Sequence, residues 1–137
     1  MERLKLDQES IGLSSFMEKA TGVRVKDCFK DQEVIYFIVA SGELGKAIGK
    51  GGMNIHRVQD ALKKKVKIIE YHADPAQFIR NVISPLHIED VVEEKDVLVI
   101  KDQNRKTKGL IIGRDGKNLQ VLNRAVQRFF NKEVKVA

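Results

Sequence analysis

The sequence predicts an α+β protein built from two similar modules, each running α-β-β-α-α-β. Three observations carry that expectation. First, a segment repeats at an offset of 64 residues: Gly45-Lys46-Ala47-Ile48-Gly49-Lys50-Gly51-Gly52-Met53-Asn54-Ile55 aligns with Gly109-Leu110-Ile111-Ile112-Gly113-Arg114-Asp115-Gly116-Lys117-Asn118-Leu119. Second, the apolar spacing around the two copies changes between helical and strand periods in the same order. Third, the halves carry equal charge: 13 basic against 10 acidic side chains in residues 1–71, and 12 against 9 in residues 72–137.

The repeat is specific. Three glycines coincide within eleven positions, although glycine makes up only about 7% of average sequence. Asn54 matches Asn118, Lys50 meets Arg114, and farther on Ala61 meets Ala125. Two copies are too few for a solenoid, which needs about three repeats or more. They define two domains, residues 1–72 and 73–137.

In the first module, Asp7-Gln8-Glu9-Ser10 offers a helix cap and first-turn acids. Leu13, Phe16, Met17 and Ala20 follow at helical spacing, and Gly22 stops the helix. Val23 to Phe29, a turn at Lys30-Asp31-Gln32, and Val34 to Ala40 read as a hairpin. A short helix up to Ile48 leads into the glycine tetrapeptide. A longer helix has Ile55, Val58 and Leu62 on one face, and Val66 to Tyr71 closes the module as a strand.

The second module repeats the plan. Asp74-Pro75 supplies a cap and a first-turn proline, Phe78, Ile79, Val82 and Ile83 form one stripe, and Ser84-Pro85 ends the helix. Leu86 to Val92, the turn Glu93-Glu94-Lys95-Asp96, and Val97 to Ile100 give the hairpin. A short helix to Ile112, the second tetrapeptide, a helix bearing Leu119, Leu122, Val126 and Phe130, and a strand from Glu133 to Val136 complete it.

Composition bounds the function. At 42% hydrophobic residues the chain can bury a core, so wholesale disorder is excluded. No apolar run approaches the roughly 18 residues of a membrane span, and the polar start Met1-Glu2-Arg3-Leu4-Lys5 lacks a secretory apolar region. The lone Cys28 cannot staple the chain. A soluble, cytoplasmic, monomeric protein without a membrane partner is expected. The net charge of +6 suits a polyanionic partner and suits ordinary solubility equally well.

The tetrapeptides say more. A helix–Gly-x-x-Gly–helix turn can be purely structural, because glycine permits φ > 0 and close approach. Here it occurs twice, each time with a cation in its second position. Backbone N–H groups at the start of the following helix favour an anion. Rival glycine motifs fail on spacing: a P-loop starting at Gly45 requires glycine at Lys50, and a dinucleotide fingerprint starting at Gly49 requires glycine at Asn54.

The segments Ile48-Gly49-Lys50-Gly51-Gly52-Met53-Asn54-Ile55 and Ile112-Gly113-Arg114-Asp115-Gly116-Lys117-Asn118-Leu119 closely resemble the I-G-x-x-G-x-x-I core of KH RNA-binding modules. The element order is similar to the type II variant, in which the hairpin precedes the paired helices. Two such modules without a flexible linker resemble the tandem KH unit of the NusA transcription factors, and the short, lysine-rich form resembles the archaeal NusA-like proteins. The resemblance implies a noncatalytic single-stranded RNA binder acting in transcription termination or antitermination. An RNA-processing or ribosome-assembly factor, or a protein–protein adaptor with structural glycine loops, stands as the alternative.

The resemblance also implies the site. Gly49, Lys50, Gly51 and Gly52, with Gly113, Arg114, Asp115 and Gly116, would hold phosphates. Ile48, Ile55, Ile112 and Leu119 would floor the base grooves, a role shared with an equally good one in the core. Lys117 and the cluster Arg105, Lys106 and Lys108 beside the second loop join the expected contacts. Each module would take about four nucleotides, and the helical connector near His72 to Pro85 would hold the two as one body. Bacterial NusA has a polymerase-binding domain and an OB-fold domain for which 137 residues leave no room. Contact with RNA polymerase is therefore left open. Asp115 departs from the pattern by setting a carboxylate beside the expected phosphate, unless it turns away to cap the next helix.

Other chemistry finds little support. The run Lys63-Lys64-Lys65-Lys67 reads first as a solvated face. His56, His72 and His87 show no metal-ligand spacing, and no nucleophile accompanies the acidic cluster Glu89-Asp90 and Glu93-Glu94. No enzyme activity, cofactor or metal is expected.

Overall fold

The computed structural model describes residues 8–137. The chain divides into two compact units that meet in sequence between Tyr71 and His72. Each is a mixed α+β unit with one three-stranded sheet.

The first unit comprises α1 (Gln8–Thr21), β1 (Val25–Asp31), β2 (Val34–Val39), α2 (Leu44–Ile48), α3 (Met53–Leu62) and β3 (Lys65–Glu70). Asp7, the expected cap of α1, lies outside the described residues. Gly22 ends the helix at φ 75°, donating its N–H to the Glu18 carbonyl at 2.7 Å. The Glu18 carboxylate then accepts the Val25 N–H at 2.9 Å, which sets the start of β1. Strand β1 runs antiparallel to β2, and β2 runs parallel to β3, in the order β1-β2-β3. A parallel pair needs a crossover, and α2 and α3 supply it. That topology puts the glycine tetrapeptide at the corner between the two crossover helices. Alternation along β2 directs Ile35, Phe37 and Val39 into a core with Met17, Ala47, Val58 and Val66. Met17, Phe37 and Val58 are fully buried, each worth about 1.5–3 kcal/mol of transfer free energy.

The second unit comprises α4 (Pro75–Ile83), β4 (Asp90–Glu94), β5 (Val97–Lys101), α5 (Arg105–Ile112), α6 (Lys117–Phe130) and β6 (Glu133–Val136), with sheet order β4-β5-β6. Its pairing repeats the first: β4 antiparallel to β5, β5 parallel to β6. The Asp74 carboxylate caps α4 by accepting the Ala76 N–H, and Pro75 fills the first turn. Phe78, Ile79, Leu98, Ile100, Leu122 and Val126 are buried. Helix α6 is four residues longer than α3, which shifts the repeat offset from 64 in the loops to 68 in the closing strands. The added turn brings Phe129 and Phe130 against Phe78, at ring-centroid distances of 5.7 and 5.6 Å.

Four expected boundaries move. Both hairpins close with two-residue turns, Gln32-Glu33 and Lys95-Asp96, because the ladders extend to the Asp31–Val34 and Glu94–Val97 pairs. The strand expected from Leu86 begins only at Asp90. The Arg80 guanidinium donates to the carbonyls of Ile88 (2.8 Å) and Glu89 (3.4 Å), satisfying them away from the ladder. Strand β3 ends at Glu70, and Tyr71 adds one further bond to the Val39 carbonyl.

Candidate nucleic-acid interface

Each tetrapeptide forms a tight turn with left-handed residues inside it, Lys50–Gly52 after α2 and Arg114–Gly116 after α5. The conformations match position by position. Gly49 and Gly113 have φ 81° and 79°, Gly51 and Asp115 have 63° and 57°, and Gly52 and Gly116 have 78° and 73°. Glycine meets this requirement without strain. Asp115 is the one side-chain-bearing residue at these six positions.

Asn54 and Asn118 explain the first glycine of each loop. The Asn54 side-chain amide donates to the Lys46 carbonyl at 2.9 Å, and that of Asn118 donates to the Leu110 carbonyl at 2.9 Å. Each amide therefore ties the second helix back to the first across the turn. A Cβ on Gly49 would lie 2.8 Å from the Asn54 backbone nitrogen, and one on Gly113 would lie 2.6 Å from Asn118 Cγ. Sequence reasoning paired these asparagines without giving them a role. Their identity in both copies was the available signal.

Hydrogen bonding inside the turn narrows the donors. The Gly49 N–H donates to the Gly45 carbonyl and that of Gly52 to the Gly49 carbonyl; Gly113 and Gly116 do the same with Gly109 and Gly113. Met53 and Lys117 donate to the carbonyls of Lys50 and Arg114. The N–H groups of Lys50, Gly51, Arg114 and Asp115 begin each turn, where no helical acceptor precedes them. All four residues are exposed. The first and last glycine of each tetrapeptide thus already have backbone acceptors for their N–H groups.

The remaining expected residues fall as follows. Ile48 and Ile112 are the last residues of α2 and α5, Ile55 and Leu119 lie in the first turn of the next helix, and all four are half-buried. Lys117 is exposed at the start of α6. Arg105 and Lys106 are exposed in the first turn of α5, and Lys108 is half-buried. Asn104 caps this helix by accepting the Thr107 N–H at 3.0 Å. The capping role weighed for Asp115 is not found: Gly116 is the N-cap of α6, and no side chain caps it.

The lysine run after α3 does not act as one solvated face. Lys63 is the left-handed C-cap of α3, and Lys64 pairs with Glu33 at 3.6 Å. Burial holds the half-buried Lys67 ammonium below its ordinary pKa. Cys28 is buried, as its apolar setting suggests. Among the described residues, no cluster of His, Cys, Asp and Glu is arranged to hold a metal ion, and no helix is long and apolar enough to cross a membrane.

Two mixed α+β units, each with a glycine turn between paired crossover helices, define a protein with a KH-like fold. The chain is 42% identical over 120 residues to the "Probable transcription termination protein NusA" of Methanococcus vannielii, covering 85% of this chain and 69% of that one. It belongs to the family of archaeal NusA-like transcription termination proteins. The Halococcus morrhuae protein of the same description is 30% identical over 132 residues, covering 94% of each chain. The "Transcription termination/antitermination protein NusA" of Bacillus subtilis matches 82 residues at 30% identity, only 22% of its length. Among solved structures, the crystal structure of APE1850 superposes with a TM-score of 0.77 at 31% identity, covering 96% of this chain and 99% of that one. No protein-family model matches the chain.

Proposed function

We propose that this chain is a noncatalytic, single-stranded RNA-binding protein with two type II KH domains, residues 1–72 and 73–137, acting in transcription termination or antitermination. The observation that carries the reading is the duplicated turn. Two exposed middle residues, the first of them a cation, recur in turns of matching φ values in both units. Such a group suits a backbone phosphate. The first turn of α5 supports it. Arg105 and Lys106 sit where the helix dipole disfavours cations, a cost of about 0.3–1 kcal/mol each. An anionic ligand offsets that cost. The half-buried Ile48, Ile55, Ile112 and Leu119 line the same corners, where they serve the core and the floor of a base groove together.

In this reading the protein works as a cytoplasmic monomer whose partner is RNA, with contact to RNA polymerase left open. Filter binding of a single-stranded RNA of about eight nucleotides at two salt concentrations tests it. Affinity falls with salt, with a slope of about −0.7 per neutralised phosphate. No measurable binding at low salt removes the reading and favours an adaptor with structural loops.

A further inference from the structure

Exposed large apolar side chains are few among the described residues: Ile11, Met53 and Leu110, at 55%, 58% and 47% exposure. Two of the three flank the glycine turns. Met53 follows Gly52 directly and donates its N–H to the Lys50 carbonyl. Leu110 lies one turn before Gly113, and its carbonyl accepts the Asn118 amide that braces the loop. Both backbones are therefore fixed to the turn whose two middle residues are exposed.

The two residues are not equivalent by the repeat. Met53 aligns with Lys117, and Leu110 aligns with Lys46. Each unit has one large exposed apolar residue at its loop, on the helix after the turn in the first unit and on the helix before it in the second. Lys46 does not replace Leu110 in kind, because its side chain runs to within 3.3 Å of the position a Cβ on Gly22 would take.

We propose that Met53 and Leu110 are base-packing residues, each covering the apolar face of a nucleobase adjoining the phosphate held by its loop. This rests on the RNA-binding reading above and adds two exposed side chains to the half-buried groove floor named there. A nucleotide offers a charged phosphate and a flat apolar ring, and the loop by itself answers only the first. Neither side chain has a hydrogen-bonding group suited to reading a base edge, so the contact is tolerant of sequence. Leu provides area alone, and the polarisable Met thioether also favours aromatic rings.

The test compares Met53→Ser and Leu110→Ser with Lys50→Ala, using oligouridylate and an abasic oligoribonucleotide of equal length. On oligouridylate each serine variant loses roughly three- to tenfold in affinity with an unchanged salt slope. Lys50→Ala flattens the slope by about 0.7. On the abasic strand the serine variants bind as the parent does. Ile11→Ser, another exposed apolar truncation, changes neither. Serine variants that keep full affinity for oligouridylate, or lose equally on the abasic strand, overturn the proposal and leave the RNA-binding reading standing. Failure of the parent protein to bind either strand overturns both.

Discussion

Asp115 concentrates the difference between the two loops in one residue. It sits at φ 57°, where the first loop has Gly51 at 63°. A left-handed conformation costs an L-residue roughly 1–2 kcal/mol, less for Asp and Asn, whose short polar side chains bond locally. No capping hydrogen bond returns part of that cost, since α6 is capped by Gly116 without a side chain. Asp115→Gly removes the strain and adds unfolded-state entropy, for a net gain of about 0.5 kcal/mol. Thermal unfolding shows it as a rise of roughly 2–4 °C. The same change removes a carboxylate next to the proposed phosphate, worth about 1 kcal/mol at 4 Å in water, so RNA binding tightens. A rise in stability with unchanged RNA affinity places the carboxylate away from the ligand.

At the scale of elements, the turn into each closing strand follows one plan with different residues. Helix α3 ends at Lys63 with φ 55°, and α6 ends at Asn131 with φ 54°. The following strand is placed by a side-chain amide. Gln59 accepts the Val66 N–H at 3.0 Å, while Asn123 accepts the Val134 N–H at 2.7 Å and donates to the Val134 carbonyl at 3.1 Å. Asn is among the few residues that take the left-handed C-cap readily, and Lys is not. Lys63→Gly is therefore expected to stabilise the protein by about 0.5–1 kcal/mol, and Asn131→Gly by less. Denaturant unfolding of the two variants checks the order; an equal gain at both sites contradicts it.

For the whole molecule, two units of equal charge do not imply two equal grips. Both loops keep an exposed cation in the second position, but only the second sets a carboxylate in the third. The double substitution Lys50→Asp and Gly51→Asp is predicted to abolish most RNA binding. It leaves the fold in place, because Asp115 already shows an Asp held at that φ. Arg114→Asp costs less. Matched affinities on one RNA of about eight nucleotides, with circular dichroism to confirm folding, make the comparison. Equal losses from the two loops show that Asp115 is silent in binding.

The element order and the corners where the loops sit were legible in residue spacing alone. Helical and strand periods are local properties of side-chain spacing, and glycines at Gly49, Gly52, Gly113 and Gly116 announce φ values that other residues resist. Which loop N–H groups are engaged within the protein came from the folded turn, since that depends on acceptors three and four residues back. The tertiary structure also decided the work of Asn54 and Asn118, whose partners lie eight residues away across a corner. The late start of β4 has the same cause. Arg80 satisfies carbonyls that the pattern Leu86 to Val92 assigns to a ladder, and periodicity carries no information about a side chain reaching from a neighbouring helix.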